Sequence, residues 1–270
     1  MNKEPDLKLR EDLINIFNSR KFTQLFKKIS DLQKNFPNSL FLFGLLGSTN
    51  NQLGNYNQAI VNFEKILKIN PNFPDAHYNL GVIFKSINQI NKAIIHYEKC
   101  IQFNPKKFEA FNNLGNIYKN KQKIELAIKN YLYCLEIKPD YLIALQNFGV
   151  CLQNFKFSKY SNIAEKHILN LLDKNKILRP VDVVNSIINH IFLNKEFSST
   201  IDSIIKEENK ISLDELINKF LNIKVLIKLL NITPITDIKI EIALRKLRYK
   251  ILLNISSIKN DKNALKLIIL

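Results

Sequence analysis

Glycine, cysteine, methionine and tryptophan are all scarce in this 270-residue chain, which has six glycines, three cysteines, one methionine and no tryptophan. The glycines stand at 44, 47, 54, 81, 115 and 149, so no G-x-G-x-x-G or G-x-x-x-x-G-K loop can be built. The usual backbone cradles for dinucleotides and phosphates are thereby excluded. Cys100, Cys134 and Cys151 form no C-x-x-C, and His77, His96, His167 and His190 form no H-E-x-x-H, so a metal site has no local nucleus. No serine or cysteine has a nucleophile motif around it. No apolar run approaches the ~18 residues of a membrane span. The opening MNKEPDLK lacks the basic start and apolar core of a secretory signal. With so few cysteines, reduced buried thiols and a cytosolic (cytoplasmic) location are expected.

Acidic side chains are also in deficit, 24 against 40 basic ones, for a net charge of +16. Such a balance directs attention to nucleic acid. Two features argue against a specific site. The lysines are interspersed with acids and make no long like-charge block, and the heavy use of Asn, Lys and Ile is what A/T-rich codons produce. The charge therefore reads as diffuse, with no specific nucleic-acid partner expected.

What the chain does have is a period. Gly47, Gly81, Gly115 and Gly149 recur every 34 residues, as do Ala59, Ala93 and Ala127, and Pro37, Pro71, Pro105 and Pro139. The glycines close the phrases FGLLG, HYNLG, FNNLG and LQNFG. When the glycine is numbered position 8 of its unit, Phe43, His77, Phe111 and Leu145 fall at position 4, and Leu46, Leu80, Leu114 and Phe148 at position 7. These share one face of a helix A. Position 24 carries Phe63, Tyr97 and Tyr131 on a helix B, which the proline then stops. Glycine costs about 1 kcal/mol against alanine inside a helix, so its recurrence points to a close helix-helix approach, with Gly81 and Ala93 at the crossing.

This pattern resembles the tetratricopeptide repeat. The resemblance implies an all-α fold, a right-handed TPR superhelix (α-solenoid) with a C-terminal helical region. The solenoid is expected over residues 6–178: an atypical repeat at 6–39, strong repeats at 40–73, 74–107 and 108–141, and a degenerate one at 142–178. In the first, Leu13 and Leu25 replace the small residues; in the last, Ala164 comes three residues late, after an enlarged turn. Residues 179–270 keep helical patterning without the period. They include a capping box at Ser212 and Glu215, an apolar stripe of Ile240, Leu244, Leu247 and Ile251, a surface pair Glu241 and Arg245, and an apolar end, NALKLIIL, expected to pack on something. Residues 216–258 also resemble, more weakly, the helical segment preceding the catalytic part of bacterial TPR-methyltransferase fusion proteins. The matching residues are Leu229, Leu230, Pro234, Asp237, Glu241, Leu247, Arg248, Leu252 and Leu253.

In such arrays the A helices line a concave groove. Asn79, Asn113 and Asn147 all fall at position 6, and a carboxamide, with donor and acceptor together, matches a peptide bond. An abundance of asparagine is the competing explanation. Tyr78, Asn112, Asn116, Lys85 and Lys119 complete the candidate groove. A clamp for a terminal carboxylate needs more converging cations than Lys85 and Lys119 supply. The expected function is a non-catalytic protein-protein interaction scaffold or adaptor holding a peptide or partner helix. The alternative is a substrate-recruiting arm of a methyltransferase-like or other transferase whose catalytic domain is absent from this chain. No catalytic residue, cofactor or metal ligand is assigned, and the oligomeric state is left open.

Overall fold

The computed structural model describes residues 3–153, 155–174, 179–206 and 212–253. Among them every regular element is helical. Two compact units, residues 1–121 and 122–270, are described separately.

In the first unit the helices are α1 (Leu7–Asn18), α2 (Phe22–Gln33), α3 (Leu40–Gln52), α4 (Tyr56–Ile69), α5 (Pro74–Ser86), α6 (Ile90–Phe103) and α7 (Phe108–Asn120). α3, α5 and α7 begin and end at the same repeat positions, as do α4 and α6. Local chemistry sets several starts. The Asp6 carboxylate accepts from the Leu9 N–H at 2.8 Å, the Ser39 hydroxyl accepts from the Leu42 N–H at 3.1 Å, and Pro74 opens α5, where its missing N–H costs nothing.

Between the two helices of each repeat the chain passes through a left-handed residue, and these too are 34 apart: Arg20 (φ 56°), Gly54 (φ 76°), Asn88 (φ 59°) and Gln122 (φ 59°). The turn lets the next N–H reach back to the preceding helix, as from Lys21 to the Ile16 carbonyl at 3.2 Å and from Gln89 to the Phe84 carbonyl at 2.8 Å.

The core of this unit is made where the helices of a repeat cross. A Cβ built on Gly47 would lie 2.7 Å from the Phe63 ring, and one on Gly81 would lie 2.7 Å from the Tyr97 ring. Glycine at position 8 thus makes room for the aromatic ring at position 24. Ala59 and Ala93 are fully buried, as are Leu13 and Leu25, which fill the corresponding places in the first repeat.

In the second unit α8 (Ile124–Ile137), α9 (Leu142–Leu152) and α10 (Asn162–Asp173) are followed by a short 3-10 turn (Pro180–Asp182) and by α11 (Val184–Phe192), α12 (Lys195–Lys206), α13 (Leu213–Leu221), α14 (Lys224–Ile232) and α15 (Ile238–Leu253). The enlarged turn before α10 is held on α11. The Asn189 carboxamide accepts from the Phe157 N–H at 2.7 Å, His190 Nε2 accepts from the Ser161 N–H at 3.0 Å, and the Phe157 and Tyr160 rings pack on His190. Ser212 caps α13 by accepting from the Glu215 N–H at 3.2 Å, while the Glu215 carboxylate pairs with Lys219 at 2.9 Å. Ile240, Leu244, Leu247 and Ile251 are buried along α15, and Arg245 pairs with Glu241 at 2.9 Å. The apolar stretch 263–270 lies outside the described residues.

Candidate functional site

The A helices carry the candidate site, and four of them, α1, α3, α5 and α7, lie in the first unit. Their inward faces bury the residues that pack on the B helices, such as Leu80 and Leu114, and their other faces keep half-buried polar groups. Asn79 is half-buried and donates from Nδ2 to the Asp75 carbonyl one turn earlier, at 2.8 Å. Its second N–H and its oxygen remain for other partners. Asn113 is half-buried and donates from Nδ2 across to the Tyr78 hydroxyl at 3.4 Å, a long contact that joins α7 to α5.

Tyr78 is the centre of this polar group. Its ring lies 4.9 Å below the Lys107 ammonium, and that ammonium pairs with Asp75 at 2.9 Å. Burial alone would lower the Lys107 pKa, but the Asp75 bond and the Asp75 and Glu109 charges outweigh it and hold the ammonium above its ordinary value.

The remaining expected residues are distributed as follows. Asn112 is buried, not groove-exposed, and its Oδ1 finds no partner among the described residues. Asn116, Lys85 and Lys119 are half-buried on α7, α5 and α7. Asn147 is half-buried on α9 of the second unit. Asn79, Tyr78 and Asn113 are therefore brought together, through Asp75 and Lys107.

Two features of this unit carry no sequence motif. The first is a pair of imidazoles. His77 occupies the position of Phe43 and Phe111 in the neighbouring repeats, only 3% exposed, with its Nδ1 3.0 Å from Nδ1 of His96 and its Nε2 3.0 Å from the Pro71 carbonyl. A carbonyl only accepts, so His77 carries its proton on Nε2 and its Nδ1 accepts from His96. Phe103 and Phe84 stack on the two rings. Desolvation lowers both pKa values, that of His96 to about 4, and Lys99 adds to the effect at both rings.

The second feature is a cleft of about 570 Å³ in the A-helix face, to which α1, α3 and α5 all contribute. No group of three or more metal-ligating side chains occurs among the described residues, and no described helix is long and apolar enough to cross a membrane. Cys100, Cys134 and Cys151 are buried thiols in no disulfide, and burial pushes the Cys100 thiol up to about 11.

Comparison with known proteins agrees with this architecture. A family model described as TPR repeat matches residues 47–88, and models described as Tetratricopeptide repeat match residues 74–107 and 96–129. A search of the curated proteins gave no match. Among solved structures, the chain is similar to the crystal structure of MamA, at 23% identity and a TM-score of 0.51, over 64% of this chain and 96% of that one. It is also similar to MamA 41-end from Desulfovibrio magneticus RS-1, at 19% identity and a TM-score of 0.50, over 63% and 94%. These likenesses show the fold, an all-α solenoid of helix pairs.

Proposed function

From the premise that residues 47–129 are tetratricopeptide repeats, we propose that this protein is a non-catalytic adaptor that holds a peptide along its A-helix face. The array is read as running over residues 6–178, with residues 179–270 as a separate helical region. Asn79, Asn113 and Asn147 bind the peptide backbone, and Tyr78, Asn116, Lys85 and Lys119 flank it. The observation that carries the reading is the half-buried polar group on α5 and α7, where Asn79 and Asn113 keep hydrogen-bonding capacity beside Tyr78. Side chains that served only the core would be apolar there, and side chains that served only solubility would be fully exposed. An extended chain read through its backbone needs such pre-set carboxamides, because each unsatisfied amide costs free energy on burial.

The test uses peptides selected on the full chain from a displayed random library. Hydrogen-deuterium exchange of the complex should slow most in α1, α3, α5, α7 and α9. A footprint confined to the B helices would contradict the reading.

A further inference from the structure

Gly44 belongs to neither the glycine series nor a turn. A Cβ built there would meet only Ile66 Cδ1, at 3.8 Å, whereas one built on Gly47 would run into the Phe63 ring at 2.7 Å. Gly47 is needed for packing and Gly44 is not, yet a glycine inside a helix costs about 1 kcal/mol against alanine. Position 5 of the next two repeats carries Tyr78 and Asn112. What the missing side chain does at Gly44 is open the cleft, whose apolar lining includes Ile14, Phe17, Phe41, Leu45, Phe63 and Ile66. A cleft of about 570 Å³ falls within the range that takes one or two large apolar groups.

The charges at its mouth are unequal in availability. The Asp75 carboxylate is paired with Lys107 at 2.9 Å, and the two oxygens of Glu4 accept from the Ser39 hydroxyl and from the Leu40 N–H. Arg10 donates from Nε to the Pro5 carbonyl at 2.7 Å and lies 5.5 Å over the Phe41 ring, and it pairs with no carboxylate among the described residues. Among the described residues lining the cleft, the one charge without an oppositely charged or capping partner is therefore a guanidinium, whose remaining N–H groups suit a carboxylate. The chain itself shows that this end of the face receives an acidic, non-helical segment, since Glu4 is seated on the first turn of α3.

We propose that the cleft over Gly44 is a specificity pocket for an acidic peptide, which inserts one large apolar side chain above Gly44 and brings an adjacent carboxylate to Arg10. The inference rests on the adaptor reading above and adds the sequence that the adaptor selects.

The experiment takes the library-selected peptide, labels it with a fluorophore and measures its affinity by anisotropy for the full wild-type chain, for Gly44→Leu, for Arg10→Gln and for the triple variant Asn79→Ala, Asn113→Ala, Asn147→Ala. Leucine at 44 fills the cleft and improves helix propensity, so the thermal midpoint should hold or rise and lost binding cannot be put down to misfolding. The selected peptides should share a large apolar residue beside Asp or Glu. Gly44→Leu should weaken them at least about tenfold, as blocking an anchor pocket does. Arg10→Gln should weaken them several-fold, and that loss should vanish when the peptide's acid is replaced by its amide. A peptide that responds to the asparagine variant but not to Gly44→Leu or Arg10→Gln would overturn the pocket and leave the adaptor reading intact. One that responds to Gly44→Leu and Arg10→Gln alone would support the pocket and remove the asparagines from recognition. Concentration-dependent dimerisation of the wild type that Gly44→Leu abolishes would assign the cleft to a second copy and overturn the peptide.

Discussion

Gly44 and Gly81 are both helix-interior glycines of A helices, and their surroundings give them opposite consequences when a methyl group is added. At Gly81 the new Cβ would sit 2.7 Å from the Tyr97 ring, which is itself fully buried and cannot retreat. Overpacking of this kind costs about 1–3 kcal/mol, against a gain of about 1 kcal/mol in helix propensity. Gly81→Ala should therefore destabilise by up to about 2 kcal/mol in chemical denaturation. Gly44→Ala should stabilise by up to about 1 kcal/mol, because its Cβ makes only an ordinary contact. Equal effects of the two substitutions would contradict the packing described here. The sequence distinguishes the two glycines only by register: Gly81 belongs to the periodic series and Gly44 does not. That Gly44 opens a cleft depends on side chains of four helices, α1, α3, α4 and α5, which no local pattern records.

At the scale of the helix pair, the period was legible because a repeated crossing demands repeated residue types. The left-handed turn was not, since glycine marks it at Gly54 alone, while Arg20, Asn88 and Gln122 adopt the same backbone without a glycine. The imidazole pair was equally hidden: His77 stands where the frame predicts an apolar or aromatic group, and its partner is 19 residues away. The pair has a consequence for pH. Both histidines titrate below their ordinary value of 6.5 in the folded chain, chiefly through desolvation, with the cations Lys99 and Lys92 facing them. The unfolded chain consequently binds their protons first, so their contribution to stability is complete above about pH 6.5 and is lost as pH falls towards 4. His167 and His190, also depressed by burial, act in the same direction. Replacing His77 by Phe and His96 by Leu should make the fall in thermal midpoint between pH 7 and pH 4.5 shallower than in the wild type. An unchanged slope would show that the pair does not titrate with folding.

Across the molecule, what the sequence conveyed well was whatever recurs or follows from a helical stripe. The recurring helix positions of α3 to α7, the buried Leu13 and Leu25 of the pair α1 and α2, and the α15 stripe are all of this kind. What it conveyed poorly was single-copy detail, such as Asn112, expected to face a ligand and found buried, its oxygen without a partner among the described residues. The register that puts Asn113 at position 6 puts Asn112 one residue earlier, and which of two adjacent amides is buried is decided by the neighbouring helix. The adaptor reading depends on a feature that is both periodic and polar, the asparagine row. Its most direct test is the affinity of a library-selected peptide for the full chain before and after Asn79, Asn113 and Asn147 are replaced together by Ala. Three lost hydrogen bonds of about 0.5–1.5 kcal/mol each predict a weakening of roughly ten- to two-thousand-fold, with little change in thermal stability. An unaltered affinity in the triple variant would contradict the account and leave the row as a product of composition.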